Sequence, residues 1–267
     1  QANTEMLVSL GLSDLIVATA HRTSTPWPET AAEYESLNFL AMDDYPSKEV
    51  VLSLEPDLIV GWGSLFADDA LGATSDWNDR GINTYLMKNT VSGLGKRNFE
   101  FLIQDIENFG KIFDIEEKTD ALVADIRSRL AAVEARTADI PEDERPTVLT
   151  VQMLKDNEWF ARADTDLTAN IIELAGGKCL DEEYGYASME VLIDKNPDAI
   201  LVIDRDQARR RHHSGPAGQS RPTGSHRHQE PEFLYHHPCL LLLRQHADYR
   251  GYRGSLRDAP QVTAAVV

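Results

Sequence analysis

The chain has 267 residues, with 44 acidic and 26 basic side chains and a formal charge of −18. That length suits one large domain or two lobes with separate cores, and a surface so acidic repels nucleic acid and anionic lipid, which disfavours both as partners. No apolar run approaches the roughly 18 residues needed to span a bilayer, and two cysteines, Cys179 and Cys239, make no disulfide framework.

The elements follow in chain order. NTEMLVSLGLSDLIVATA, residues 3–20, predicts a helix capped by Asn3 or Thr4 and stopped at Gly11, then a buried strand in DLIVATA. SKEVVLSLEPDLIV, residues 47–60, predicts a short helix capped by Ser47 with Glu49 in its first turn. Pro56 follows the helix, and DLIVGW reads as a strand apolar on both faces, as in a parallel sheet covered by helices. WNDRGINTYLM repeats the theme of helix end, Gly81 and strand, which is α/β alternation. SGLGKR, residues 92–97, lacks the spacer and the terminal serine or threonine of a phosphate loop and reads as a hinge. From about 98 to 136 the pattern is helical, with Val123, Ile126, Leu130 and Val133 on one stripe and a break near Gly110 and FDIEE. IPEDERP punctuates, TVLTVQM starts a new strand, and DLTANIIELAGG is an amphipathic helix with a glycine stop.

SMEVLIDKNPDAIL, residues 188–201, then repeats the earlier motif. Ser47, Glu49, Val50, Pro56, Asp57 and Ile59 return as Ser188, Glu190, Val191, Pro197, Asp198 and Ile200, each 141 residues later. That period is too long for a solenoid and suits two similar lobes.

TEMLVSLGLSDLIV, PSKEVVLSLEPDLIV, the helical stretch and SMEVLIDKNPDAILV together resemble the helical-backbone (class III) substrate-binding proteins of ABC importers, which carry iron-siderophores, haem or cobalamin. The resemblance covers residues 3–204. It implies an α/β protein of two Rossmann-like lobes, joined by a long bridging α-helix, with the ligand cleft between the lobes. The implied boundaries are residues 1–97 for the N-terminal lobe, whose first strand would precede Gln1, 98–140 for the bridging region and 141–204 for the C-terminal lobe. The chain opens almost directly in helix-like sequence with no visible signal peptide, as a mature or truncated form would.

The resemblance further implies an extracytoplasmic monomer, periplasmic or lipid-anchored, that passes a small-molecule metal chelate to a permease dimer without any catalytic step, resident cofactor or metal of its own. Glu49 and Glu190 match the family's permease-docking glutamates. A carboxylate at a helix start can dock an arginine in a charge-assisted pair; equally, the macrodipole favours acidic residues in any first turn.

Ligands of α/β sheets bind beyond the carboxyl ends of strands, where three segments offer candidates. AHRTSTPW supplies His21, Arg22 and Trp27, GWGS supplies Trp62 and Ser64, and MLKDNEWFARADTD supplies Trp159, Phe160 and Arg162. Arginine brings a planar donor fork and tryptophan a rigid apolar wall for a bulky, often anionic iron chelate, and Arg22 and Arg162 would face each other across the cleft. Against this, Trp27 beside Pro26 suits a core edge, and Arg162 suits a surface pair with Asp164 or Asp166. His21 has no neighbouring histidine or cysteine to make a metal site with it. A cobalamin or haem carrier of the same fold is one alternative. A two-lobe metal-cluster or chelatase-like enzyme is another, but neither a nucleophile elbow nor a catalytic dyad stands out.

The text changes at Arg205. Residues 1–204 hold 16 basic and 39 acidic residues, a net of −23, whereas residues 205–267 hold 10 and 5, a net of +5, with every cation an arginine and seven of the eight histidines. The histidine spacings fit no zinc pattern, and a basic tail is a second reading. The third is a one-base slip near Asp204 to Gln207, which makes 205–267 an out-of-frame tail. Dropping the first base of each codon turns tyrosine, histidine and aspartate codons into isoleucine, threonine or methionine, so that DYRGYRG, residues 248–254, rereads as the amphipathic TIEAIEA. The arginines and prolines of the present frame suit no paired apolar strand, and the expectation is a poorly packed tail.

Overall fold

The computed structural model describes residues 1–22, 26–40, 45–155, 158–181, 183–203 and 240–243. Helix α1 (Ala2–Ser9) is capped at Gln1, so Asn3 and Thr4 lie inside it rather than at its start. Thr4 is buried, and its hydroxyl meets that of Thr19 at 2.7 Å. Gly11 ends the helix at φ +71°, a left-handed conformation that only glycine adopts without cost. The strand expected in DLIVATA does not form. Ser13–Leu15 make a 3-10 turn, Leu15 and Val17 are exposed, and only Thr19 bridges another segment, at Phe39. A strand needs a continuous partner edge for its backbone groups, and this segment meets a single bridge.

Helix α2 (Ala31–Ser36) buries Tyr34. The first copy of the repeat forms as α3 (Lys48–Ser53) and β1 (Leu58–Gly61). Helix α4 (Thr74–Asn78) and β2 (Asn83–Leu86) follow, β2 pairing in parallel with β1 from Leu58–Asn83 to Gly61–Leu86. Burial alternates along β1, and each face meets an apolar cluster, as expected: Ile59 joins Val51, Phe66, Leu71 and Trp77, while Val60 packs against the cluster of Leu102, Ile103 and Phe109. Val51, Ile59, Phe66, Leu71 and Trp77 form one core cluster there.

The stretch expected to form one long bridging helix folds as two, α5 (Phe99–Phe113) and the 22-residue α6 (Glu116–Thr137), packed together as a hairpin within the first unit. The break falls where Gly110 and FDIEE predicted it, with Asp114 left-handed at φ +56° and ψ +47°. Gly110 lets the two legs meet, because a Cβ there would overlap Thr119. Arg127 on α6 clasps Glu100 on α5 through two 2.9 Å bonds. Leu102, Ile103, Ile106 and Phe109 of α5 pack with Met6, Leu10 and Val123 into a second core.

Strands β3 (Thr147–Lys155) and β4 (Glu158–Ala161) come next, then α7 (Leu167–Leu174), β5 (Lys178–Cys179), β6 (Gly185–Ser188), α8 (Met189–Lys195), β7 (Ala199–Ile203) and β8 (Leu240–Leu243). The sheet order is β6-β4-β3-β7-β8, with β5 also on β3. β7 runs parallel to β3, as the repeat predicts, and Leu149, Val151, Trp159 and Leu192 form the core beneath.

The chain divides into two compact units, residues 1–139 with 165–175, and residues 140–164 with 176–267. The first unit thus takes α7, which sequence order assigned to the C-terminal lobe. The reason is polar. Asp166, 2% exposed, caps α7 through the Thr168 amide and pairs with Arg97 at 2.8 Å. The Asn170 side chain accepts from the Phe99 amide, and the Thr137 hydroxyl donates to the Leu174 carbonyl.

Of residues 205–267, only 240–243 are described. Four leucines pair antiparallel with β7, where the out-of-frame reading expected no strand: an open sheet edge accepts any extended segment with free backbone groups. The rest of that expectation lies outside the described residues.

Candidate functional site

The two copies of the repeat share one local geometry. Ser47 caps α3 at φ −70° and ψ 159°, and Ser188 caps α8 at φ −74° and ψ 159°. Glu49 and Glu190 stand exposed in the first turns that follow. Each helix turns one side chain inward at the same place, Val51 in the first copy and Leu192 in the second. Each copy then reverses through a left-handed residue, Glu55 at φ +48° and Asn196 at φ +40°, before its proline. Left-handed residues do not announce themselves when they are not glycine, and this shared feature was not visible in the sequence.

Beyond the prolines, the aspartates tie each copy to the neighbouring strand. The Asp57 carbonyl accepts from the Asn83 amide at 3.0 Å. The Asp198 carboxylate accepts from the Thr147 amide at 2.8 Å and from its hydroxyl at 2.7 Å.

The serines also reach the glutamates. Ser188 Oγ donates to Glu190 Oε2 at 3.2 Å. Ser47 Oγ accepts from the Val50 amide at 3.4 Å. A hydrogen bond from the Ser47 hydroxyl, and next the backbone N–H of Glu49 itself, hold the Glu49 carboxyl below the usual glutamate range.

Of the ligand candidates in the first unit, Arg22 is committed elsewhere. Its guanidinium forms a two-pronged pair with Glu35 at 2.8 and 2.5 Å and lies over the Tyr34 and Phe39 rings at 5.7 and 5.9 Å. Trp27 is half-buried beside buried Pro26, and its backbone amide donates to Glu5 at 3.2 Å. Trp62 is different: 42% exposed, it precedes the 3-10 turn Gly63–Phe66 beyond the end of β1. Gly63 approaches the Thr90 carbonyl so closely that a Cβ would stand 2.8 Å from it. Ser64 shares a 2.6 Å hydrogen bond with Tyr45, whose ring lies 5.6 Å from that of His21. His21 itself is left-handed at φ +59°. The structure therefore gathers His21, Tyr45 and Ser64 and leaves Trp62 open beside Ser64. Tyr45 was missed because it precedes Ser47 in a segment with no periodicity to read.

In the second unit the expectation for Trp159 is corrected. It is 1% exposed, packs against Leu149, Val151 and Leu192, and donates its indole N–H to the Ser188 carbonyl at 3.0 Å. Side chains alternate along β4, so a buried Trp159 turns Phe160 to the other face. There Phe160 meets Tyr186 edge-on at 5.3 Å and Tyr184 at 6.3 Å, and both tyrosines are exposed. Arg162 donates to Gln152 Oε1 at 2.6 Å and lies over the Tyr184 ring at 5.4 Å. Asp166, considered as its surface partner, pairs instead with Arg97. Period-two alternation on EWFA would have separated Trp159 from Phe160 in the sequence.

Among the described residues no three histidine, cysteine, aspartate or glutamate side chains converge as metal ligands. A groove of about 670 Å³ at the turn between α5 and α6 is lined by Asp114, Ile115, Glu116, Glu117, Lys118 and Ala121, none of them an expected ligand residue.

Residues 1–239 match the model of a family described as periplasmic binding protein. An uncharacterized ABC transporter substrate-binding lipoprotein of Bacillus subtilis (strain 168), YvrC, is 26% identical over 211 residues, covering 78% of this chain and 63% of that protein. The chain thus spans less than two thirds of the length of this relative. A periplasmic binding protein from Veillonella parvula DSM 2008 is similar with a TM-score of 0.64 at 26% identity, over 76% of this chain and 63% of that one. An ABC-type Fe3+-hydroxamate transport system protein from Saccharomonospora viridis DSM 43017 is similar with a TM-score of 0.60 at 21% identity, over 74% and 70%, a likeness of fold alone.

Proposed function

This chain belongs to the periplasmic binding protein family, and from that premise we propose that it is an extracytoplasmic solute-binding protein delivering an iron-siderophore or similar metal chelate to an ABC importer. The observation that carries the reading is the repeat. Two exposed carboxylates, Glu49 and Glu190, each follow a serine cap of matching backbone geometry. A carboxylate on such a base accepts an arginine fork, and two equivalent docking points suit a permease dimer. The name of the Bacillus subtilis relative supports an importer partner and a lipid-anchored or periplasmic location. The reading has no chemical step. Trp62, Ser64, Trp27 and Arg162 remain its ligand contacts, whereas Arg22 is held by Glu35. Phe160, Tyr184 and Tyr186 replace Trp159.

A second cargo is favoured by one observation. The half-buried Phe160 ring and the exposed Tyr184 and Tyr186 rings form an aromatic surface, which suits a flat conjugated face, and proteins of this fold bind haem and vitamin B12. Tryptophan-fluorescence titration with ferric hydroxamates, ferric catecholates, haem and cobalamin separates the readings, with exposed Trp62 as reporter. Saturable quenching by one of them without turnover supports a carrier of that cargo; a flat response to all four, or turnover, sinks the carrier reading. Replacing Glu49 and Glu190 together by alanine should abolish stimulation of the importer's ATPase and leave quenching intact.

We also propose that residues 205–267 are an out-of-frame tail, a reading supported by the switch from net −23 to net +5 at Arg205. The nucleotide sequence of codons 200–210 in independent clones tests it. An intact frame shared by all of them removes it.

A further inference from the structure

We propose that Ser47 and Ser188 are positioning residues, each aiming the glutamate two places ahead of it, so that both docking carboxylates are held in a preset orientation before any partner arrives. This rests on the docking role given above to Glu49 and Glu190.

A serine hydroxyl has one donor and two acceptor sites. In the first copy the acceptor side serves the helix, where Ser47 Oγ receives the Val50 amide at 3.4 Å; Ser188 makes no side-chain cap bond. The donor side is then left for a carboxylate, and Ser188 uses it on Glu190 Oε2 at 3.2 Å. In the first copy Ser47 holds the same cap geometry two residues before Glu49, and its hydroxyl favours the ionised Glu49 carboxyl. The two caps share their backbone angles to within a few degrees, φ −70° against −74° with ψ 159° in both. The hydroxyl-to-carboxylate spacing of two residues is therefore reproduced by the backbone and does not depend on the neighbours of either helix.

An exposed glutamate otherwise samples several staggered rotamers, and fixing it costs side-chain entropy on binding. A bond to the serine removes part of that cost beforehand. It also leaves the carboxylate able to bind. Two oxygens offer about four lone-pair sites, the serine takes one, and an incoming arginine fork needs two. Threonine presents the same hydroxyl from the same position, whereas glycine keeps most of the capping energy without any hydroxyl.

The test uses the full chain with glutamate carboxyls labelled with carbon-13. Side-chain couplings and carboxyl titrations of Glu49 and Glu190 are compared in wild type, Ser47→Gly, Ser188→Gly, Ser47→Thr and Ser188→Thr. Circular dichroism checks that the helices persist. The glycine variants should average the couplings at the neighbouring glutamate and raise the Glu49 midpoint, while the threonine variants restore wild-type behaviour. Unchanged couplings in both glycine variants overturn the proposal, whatever the importer does. The docking role is judged separately by ATPase stimulation in Glu49→Ala and Glu190→Ala. If those variants still stimulate fully while Ser47→Gly frees Glu49, docking falls and positioning stands.

Discussion

In the first unit β1 has one described neighbour, β2, whereas in the second the equivalent β7 lies between β3 and β8. The repeated helix–turn–strand backbone is nevertheless the same in both, down to a left-handed residue before each proline. Local chemistry, meaning the serine cap, the inward aliphatic and the proline stop, reproduces the backbone wherever it is placed. The surroundings decide what each copy exposes. Leu52 packs partly against its cluster, while its counterpart Ile193 is 64% exposed.

Four pairs of substitutions test that contrast. The largest concerns the tryptophans. Trp159→Ala should cost about 3–5 kcal/mol in urea unfolding because it empties a core, while Trp62→Ala should stay within about 0.5 kcal/mol. Equal losses would mean that Trp159 is not the core residue of its unit. Next, Asp198→Ala should cost about 1–2 kcal/mol by removing a carboxylate that accepts twice from Thr147. Asp57→Ala should cost less than about 0.5 kcal/mol, because there the backbone carbonyl makes the bond. Third, Glu55→Gly should stabilise by about 0.5–1 kcal/mol, relieving a left-handed non-glycine residue against the entropy that glycine adds to the unfolded chain. Asn196→Gly should gain little, since asparagine tolerates that conformation.

The smallest effects are in pH dependence, where two carboxyls of the first unit move oppositely. Asp105 on α5 is 1% exposed, and burial pushes its carboxyl above the ordinary 3.8, against the opposing bonds from the Tyr85 hydroxyl and the Lys88 amide. Its contribution is therefore fully present below 3.8 and is lost as pH rises through the raised value. Glu49 is lowered, so its contribution is present above 4.5 and is lost as pH falls through the depressed value. In acid titrations of stability, Asp105→Asn should gain on wild type as pH rises past 3.8, and Glu49→Gln should gain on wild type as pH falls below 4.5. A reversed sign in either pair contradicts the assignment.

Much of the fold was legible because the signals were local. The Ser47 cap, the Gly81 turn, the break after Gly110 and the Gly176 stop each follow from what one residue type can do. The candidate site was less legible. Arg22 and Trp159 have the right chemistry for a ligand, but Glu35 claims the first and the core claims the second. Tyr45, Tyr184 and Tyr186 were passed over, because exposure beside a partner from another segment leaves no periodic trace.

The amino-acid order by itself determined the duplicated unit and its alternation of helix and strand, because caps, stops and side-chain periods act within a few residues. Long-range packing settles that DLIVATA meets a single bridge, at Phe39, among the described residues, that α7 joins the first unit through Asp166 and Arg97, and that Trp159 rather than Phe160 is the buried ring. Those outcomes depend on which distant segment arrives to satisfy a backbone edge, a buried charge or an aromatic ring, and no window of a few residues contains that information.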